Sequence, residues 1–181
     1  VPVASRLTFK DITGTTVAIP GLYKDNRDYM VMSFEKGGFW TNTDKVEGPN
    51  ESSINGKYFH FVGNTTYNYM IHMVKEKEPD FQVYKDAKNW QLKFEILTNE
   101  PFTTSHLTFS FAAVPSNVKY AWKPEQPFHT EGKWRTVAID LNRWDFSATT
   151  QVNTSMYIDL VAGPAEAQDF FLDNIRIVPK N

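Results

Sequence analysis

The chain has 181 residues, with 19 Lys and Arg against 21 Asp and Glu, for a formal net charge of -2. It carries no cysteine, which excludes a disulfide scaffold, thiolate zinc sites and cysteine nucleophiles. Hydrophobic residues at 41% and charged residues at 22% describe a folded domain long enough to bury its own core.

Short β-prone runs follow one another along the chain at residues 6–9, 15–19, 29–34, 57–62 and 67–73. They continue at 90–97, 106–113, 118–122, 133–141, 155–161 and 170–178. Turn residues punctuate them, among them Pro20-Gly21, Gly37-Gly38, Asn55-Gly56, Gly63-Asn64 and Gly163-Pro164. About ten strands in one domain of this length predict an all-β, two-sheet antiparallel β-sandwich, a jelly roll. The whole chain, 1–181, reads as one such domain. Residues 1–20 are either its first strands or the tail of a preceding immunoglobulin-like module. The chain opens at Val1 without Met, so a mature or excised fragment is expected, its targeting segment removed.

Alternation assigns faces to several strands. Leu107, Phe109, Phe111 and Ala113 form one row, against Thr108, Ser110 and Ala112. Val137, Ile139 and Leu141 form another, as do Leu92, Phe94 and Ile96. One sheet face is therefore apolar and packed, while the other is polar and open. Gln91, Lys93 and Glu95 belong to the outward set, either as ligand contacts or as a solvated row.

No basic block is present; the densest charge run, Lys75-Glu76-Lys77-Glu78, alternates in sign. Binding a phosphate backbone needs concentrated positive charge, so nucleic acid is not the expected partner. Apolar runs fall short of the roughly 18 to 20 residues of a membrane helix, so direct membrane insertion is not expected either. The four histidines, His60, His72, His106 and His129, have no metal-ligand spacing, and His60 and His72, inside expected strands, read as strand-face residues. No nucleophile elbow, phosphate loop or dinucleotide fingerprint appears. Glycoside hydrolysis needs two carboxylates across the scissile bond, yet Glu95 and Asp140 are each alone on their strands. No catalytic residue is assigned.

Aromatic residues make up 15% of the chain, including five tryptophans. The apolar face of a sugar ring stacks on an aromatic ring, while its edge hydroxyls seek polar side chains. Trp40 follows Gly37-Gly38-Phe39 in an expected loop, and Tyr120 and Trp122 lie two apart on one strand face. Trp134 is expected to pack at a sheet end.

The order of Ile54-Asn55-Gly56-Lys57-Tyr58-Phe59, Trp90-Gln91-Leu92-Lys93-Phe94-Glu95-Ile96 and Tyr120-Ala121-Trp122-Lys123-Pro124 forms a series. It continues through Gly132-Lys133-Trp134-Arg135-Thr136-Val137 to Phe171-Leu172-Asp173-Asn174-Ile175. Over roughly residues 28 to 178 this series resembles the carboxy-terminal glycan-binding domain of bacterial surface glycan-binding proteins. Those are outer-membrane lipoproteins encoded beside starch-utilisation-type transport systems.

The resemblance implies a non-catalytic domain at the cell surface, anchored through an upstream lipidated cysteine. It would capture polysaccharide beside an outer-membrane importer, as a monomer. The matching platform positions are Trp90, Tyr120 and Trp122, with Trp40 in the loop. Trp90 shares parity with the inner row of Leu92 and Phe94, which leaves a core role open for it. The expected ligand is a neutral β-glucan or hemicellulose such as xyloglucan, mixed-linkage glucan or mannan. Jelly-roll modules often hold a structural calcium, for which Glu35 and Asp173 are the suggestive pair. Two other readings stand beside this one: a sandwich glycoside hydrolase or lyase, and an adhesion module that binds protein.

Overall fold

The computed structural model describes residues 8–10, 16–18, 31–32, 39–41, 46–47, 58–64, 66–74, 82–163 and 166–180. Glu35 and the expected turns at 20–21, 37–38 and 55–56 lie outside the described residues.

Thirteen strands appear in chain order among the described residues. The first five are short: β1 Thr8–Lys10, β2 Thr16–Ala18, β3 Val31–Met32, β4 Phe39–Thr41 and β5 Val46–Glu47. β6 Tyr58–Gly63, β7 Tyr67–Val74, β8 Trp90–Thr98 and β9 His106–Val114 follow. The chain continues with β10 Val118–Trp122, β11 Arg135–Asp140, β12 Gln151–Val161 and β13 Gln168–Pro179. Short 3₁₀ segments at Val83–Asn89 and Leu141–Arg143 are the helical pieces among the described residues.

Two antiparallel sheets form the sandwich. One runs β10-β9-β12-β7-β4; the other runs β11-β8-β13-β6-β5, with β3 also paired to β13. The β1–β2 hairpin is a two-stranded sheet of its own.

The inward rows read from alternation are the core. Leu92, Phe94 and Ile96 from β8 and Leu107, Phe109 and Phe111 from β9 are all fully buried. Phe94 meets Phe109 across the two sheets with ring centroids 5.2 Å apart. β12 adds Met156, Ile158 and Leu160, and β13 adds Phe170, Leu172, Ile175 and Ile177. Trp144 caps the β10 side: it is buried, donates its indole N–H to the Phe109 carbonyl at 3.0 Å, and meets Phe111 edge-on. Each buried side chain of this size contributes about 1.5–3 kcal/mol by leaving water, so these rows alone commit the chain to two apposed sheets.

The loops at one end of the sandwich are tied by a carboxylate. Glu166, between β12 and β13, accepts hydrogen bonds from the backbone and side chains of Thr103 and Thr104 and from the Ser105 hydroxyl. The packing is close enough that a Cβ at Gly163 would lie 2.0 Å from Thr104 Oγ1. Partial burial raises the Glu166 pKa, but the bonds from Ser105, Thr103 and Thr104 outweigh it and bring the carboxyl down to about 2.

Candidate functional site

Two outward sheet faces are available, and their centres differ. On the six-stranded sheet, pairing places Glu95 beside Asp173 and Thr136 beside Glu95. Glu95 and Asp173 are both fully buried, so this face is covered at its centre. Glu95 accepts a hydrogen bond from Thr136 Oγ1 at 3.1 Å. The outward position expected for Glu95 is correct, but its openness is not: a carboxylate with no exposed surface cannot meet a ligand hydroxyl. Lys93 and Gln91 on the same face are half-buried, and Gln91 donates to Asp140 at 3.2 Å.

Glu95 and Asp173 also bear on chemistry. Cross-strand neighbours hold their Cβ atoms about 4.5–5.5 Å apart, near the carboxylate spacing of a retaining glycosidase. Such a pair needs a cleft that admits substrate, and complete burial removes it. For calcium, Asp173 has an acid beside it. Among the described residues, no group of three or more His, Cys, Asp or Glu is placed to hold a metal.

Farther along the same face His60 stacks on Phe171 at 4.1 Å, with its Nε2 2.7 Å from Asp169. Trp134 lies 6.2 Å from Phe171. Trp134 therefore packs on the outer surface of this sheet, not in the core.

The five-stranded sheet carries a register row across all five strands. Lys119 pairs with Ser110, Ser110 with Tyr157, Tyr157 with His72, and His72 with Trp40. Paired antiparallel residues share a face. Two of its positions alternate with core rows: Phe109 and Phe111 flank Ser110, while Met156 and Ile158 flank Tyr157. The row therefore belongs to the outer face. Four spacings of about 4.8 Å make it roughly 19 Å long. Tyr157 is half-buried, as are Thr108 and Asp159, paired with each other one row along. Ser110 is small and covered, and its Oγ has no hydrogen-bond partner.

The four expected rings do not share one platform. Trp40 lies on β4, not in a loop; Phe39, Trp40 and Thr41 favour extended backbone and pair with Ile71 to Met73 of β7. Tyr120 and Trp122 pair with Phe109 and Leu107, so their common face is the inward one. Tyr120 rests against Trp144 at 5.2 Å. Trp122 meets Phe94 and Phe128 edge-on, at 5.3 and 5.2 Å. Trp90 is half-buried and packs against the core, as its parity with Leu92 implies. Trp40 and Trp122 thus sit on opposite edge strands of the five-stranded sheet, while Trp90 lies in the other sheet.

Tyr157 is not among the site residues expected from the sequence. Its signal was present in Met156-Tyr157-Ile158-Asp159-Leu160, where apolar residues alternate with a ring and an acid.

An antiparallel sandwich with a ring-bearing, partly open sheet face is the architecture of a carbohydrate-binding domain. Residues 23–179 match the family described as the surface glycan-binding protein B xyloglucan binding domain. The chain belongs to this family, and as a member it is a non-catalytic glycan-binding domain. No curated protein matches it in sequence.

Among solved structures it is similar to the family 30 carbohydrate-binding module of the cellulosomal cellulase Cel9D-Cel44B of Clostridium thermocellum. Identity there is 14%, coverage 86% of this chain and 93% of that one, and the TM-score 0.54. It is also similar to SGBP-B from a complex xyloglucan utilization locus in Bacteroides uniformis, at 14% identity and a TM-score of 0.56. That alignment covers 92% of this chain but 53% of the other, so the chain spans about half of that protein's length. At such identities these likenesses carry the fold alone.

Proposed function

We propose that the domain captures a neutral β-linked polysaccharide, xyloglucan first among the candidates, on the outer face of the five-stranded sheet. The register row Lys119–Ser110–Tyr157–His72–Trp40 carries this reading. Tyr157 provides a stacking surface, with Trp40 at the end of the same register row, and Lys119, Thr108 and Asp159 supply polar groups for the hydroxyls of the glycan. Tyr157, Thr108 and Asp159 keep part of their surface exposed on the five-stranded face, whereas Glu95 and Asp173 on the six-stranded face have none. The family's description, with xyloglucan in it, supports the choice of ligand. Absence of a basic cluster argues against uronic-acid polymers.

The same reading sets the domain on a bacterial outer membrane, held by an upstream lipidated segment beside a glycan importer and acting as a monomer. That the β1–β2 hairpin pairs with neither large sheet among the described residues supports taking residues 1–20 as the end of a preceding module. Affinity electrophoresis in gels containing xyloglucan, mixed-linkage glucan, mannan or polygalacturonate tests the proposal. Retardation is expected in xyloglucan and not in polygalacturonate. Equal mobility in all four gels would refute it.

A further inference from the structure

A cleft of about 560 Å³ opens along one side of the sandwich, between the edge strands of the two sheets. Its walls follow from register. Trp122 of β10 pairs with Leu107, and Arg135 and Val137 of β11 pair with Ile96 and Phe94, so all three occupy inward positions. Arg135 is nevertheless exposed, because at this end the sheets do not close over it. An inward edge position that a closed sandwich would fill with an apolar side chain carries a guanidinium instead.

The cleft has an apolar base and a polar rim. Trp122 and Phe128 meet edge-on at the base, and the bridge between Phe102 and Phe128 pins Phe128 in place. Glu125, Gln126 and Arg135 stand around the opening. Gln126 donates one N–H to the Ser105 carbonyl at 2.9 Å, which orients its amide. Arg135 makes no ion pair among the described residues. The volume lies within the roughly 300–1,000 Å³ of small-molecule sites, which combine apolar walls with a few convergent polar groups.

We propose that this cleft is a second carbohydrate subsite, which takes a single neutral pyranose unit presented as a chain end or a side branch. The apolar ring face rests on the Trp122–Phe128 base. Adjacent hydroxyls accept from the Arg135 fork and donate to the Glu125 carboxylate, the bidentate geometry those two planar groups offer. Glu125 on the rim disfavours an anionic sugar. The inference rests on the glycan-binding character of the domain and is independent of the five-stranded face, whose Trp40 lies at the far edge of that sheet.

The test is a ¹H–¹⁵N titration of the full chain with two probes, methyl β-glucoside for a chain end and methyl α-xyloside for a branch. Saturable shifts are expected at the Trp122 indole and the Gln126 amide with one probe or both. Arg135→Ala should weaken that binding about 10-fold, as loss of a hydrogen bond from a charged group implies, and Glu125→Ala should weaken it too. Both residues are exposed, so neither variant threatens the fold. Cleft shifts that fail to saturate with either probe, or that survive both substitutions unchanged, overturn the proposal. Saturable shifts at Tyr157 without any in the cleft overturn it while leaving the sheet-face reading intact. Shifts in the cleft without any at Tyr157 uphold it and count against the sheet face.

Discussion

Replacing Trp122 with alanine separates a ring held by the sandwich from a ring offered to solvent. The indole stands at an inward position and touches Phe94 of the opposite sheet and Phe128 of the following loop. A fully buried tryptophan truncated to alanine costs about 3–5 kcal/mol. Trp122 is half-buried, so about half of that cost applies, near 2 kcal/mol. Two edge-on ring contacts worth about 0.5–1.5 kcal/mol each overlap with that figure and place the total at about 2–3 kcal/mol. For a domain of this size the melting temperature should fall by about 5–10 °C. Urea unfolding followed by circular dichroism at a fixed pH gives the free energy directly. A loss below about 0.5 kcal/mol would refute the packing of Trp122 against Phe94 and Phe128.

Other substitutions probe the remaining parts of the account. Glu95→Gln should lower stability by about 1–3 kcal/mol, because a buried carboxylate loses its matched donors, while retardation in xyloglucan gels stays at the wild-type level. Lost retardation in a variant that folds would restore Glu95 as a ligand contact. Phe109→Ala should cost about 3–5 kcal/mol in the same urea assay, since Phe109 is fully buried between the sheets. The Glu166 carboxyl, at about 2 in the folded state against an ordinary 4.5, stabilises the fold fully above pH 4.5. That contribution should fade as pH falls from 4.5 towards 2, and Glu166→Gln should flatten this part of a melting-temperature profile. An unchanged profile in the variant would show that the loop tether carries no stability.

Alternation alone located the core. Leu107, Phe109 and Phe111, and likewise Leu92, Phe94 and Ile96, are inward in the sequence and inward in the fold, because a strand's two faces follow from its period of two. Alternation does not say which strand lies alongside. Tyr120 and Trp122 share a face by spacing, but only pairing with Phe109 and Leu107 makes it the inward one. Glu95 points outward by parity, yet it is fully buried, with Asp173 set beside it by β13 from far along the chain. The candidate row from Lys119 to Trp40 draws on five strands separated in sequence, so no local window contained it. Local alternation marks Ser110 and Tyr157, each set between apolar neighbours, but not their place in one row.

Tyr157→Ala tests most directly whether the glycan lies on the outer face of the five-stranded sheet. A sugar covering about a third of the roughly 200 Å² that an aromatic side chain can bury removes about 70 Å² from water. At about 25 cal/mol per Å² this is near 1.7 kcal/mol, or about 20-fold in Kd. Calorimetric titration of wild type and variant with xyloglucan oligosaccharide, on protein shown to be folded by circular dichroism, supplies the comparison. The account predicts an affinity loss of about 20-fold or more; an unchanged Kd would contradict it.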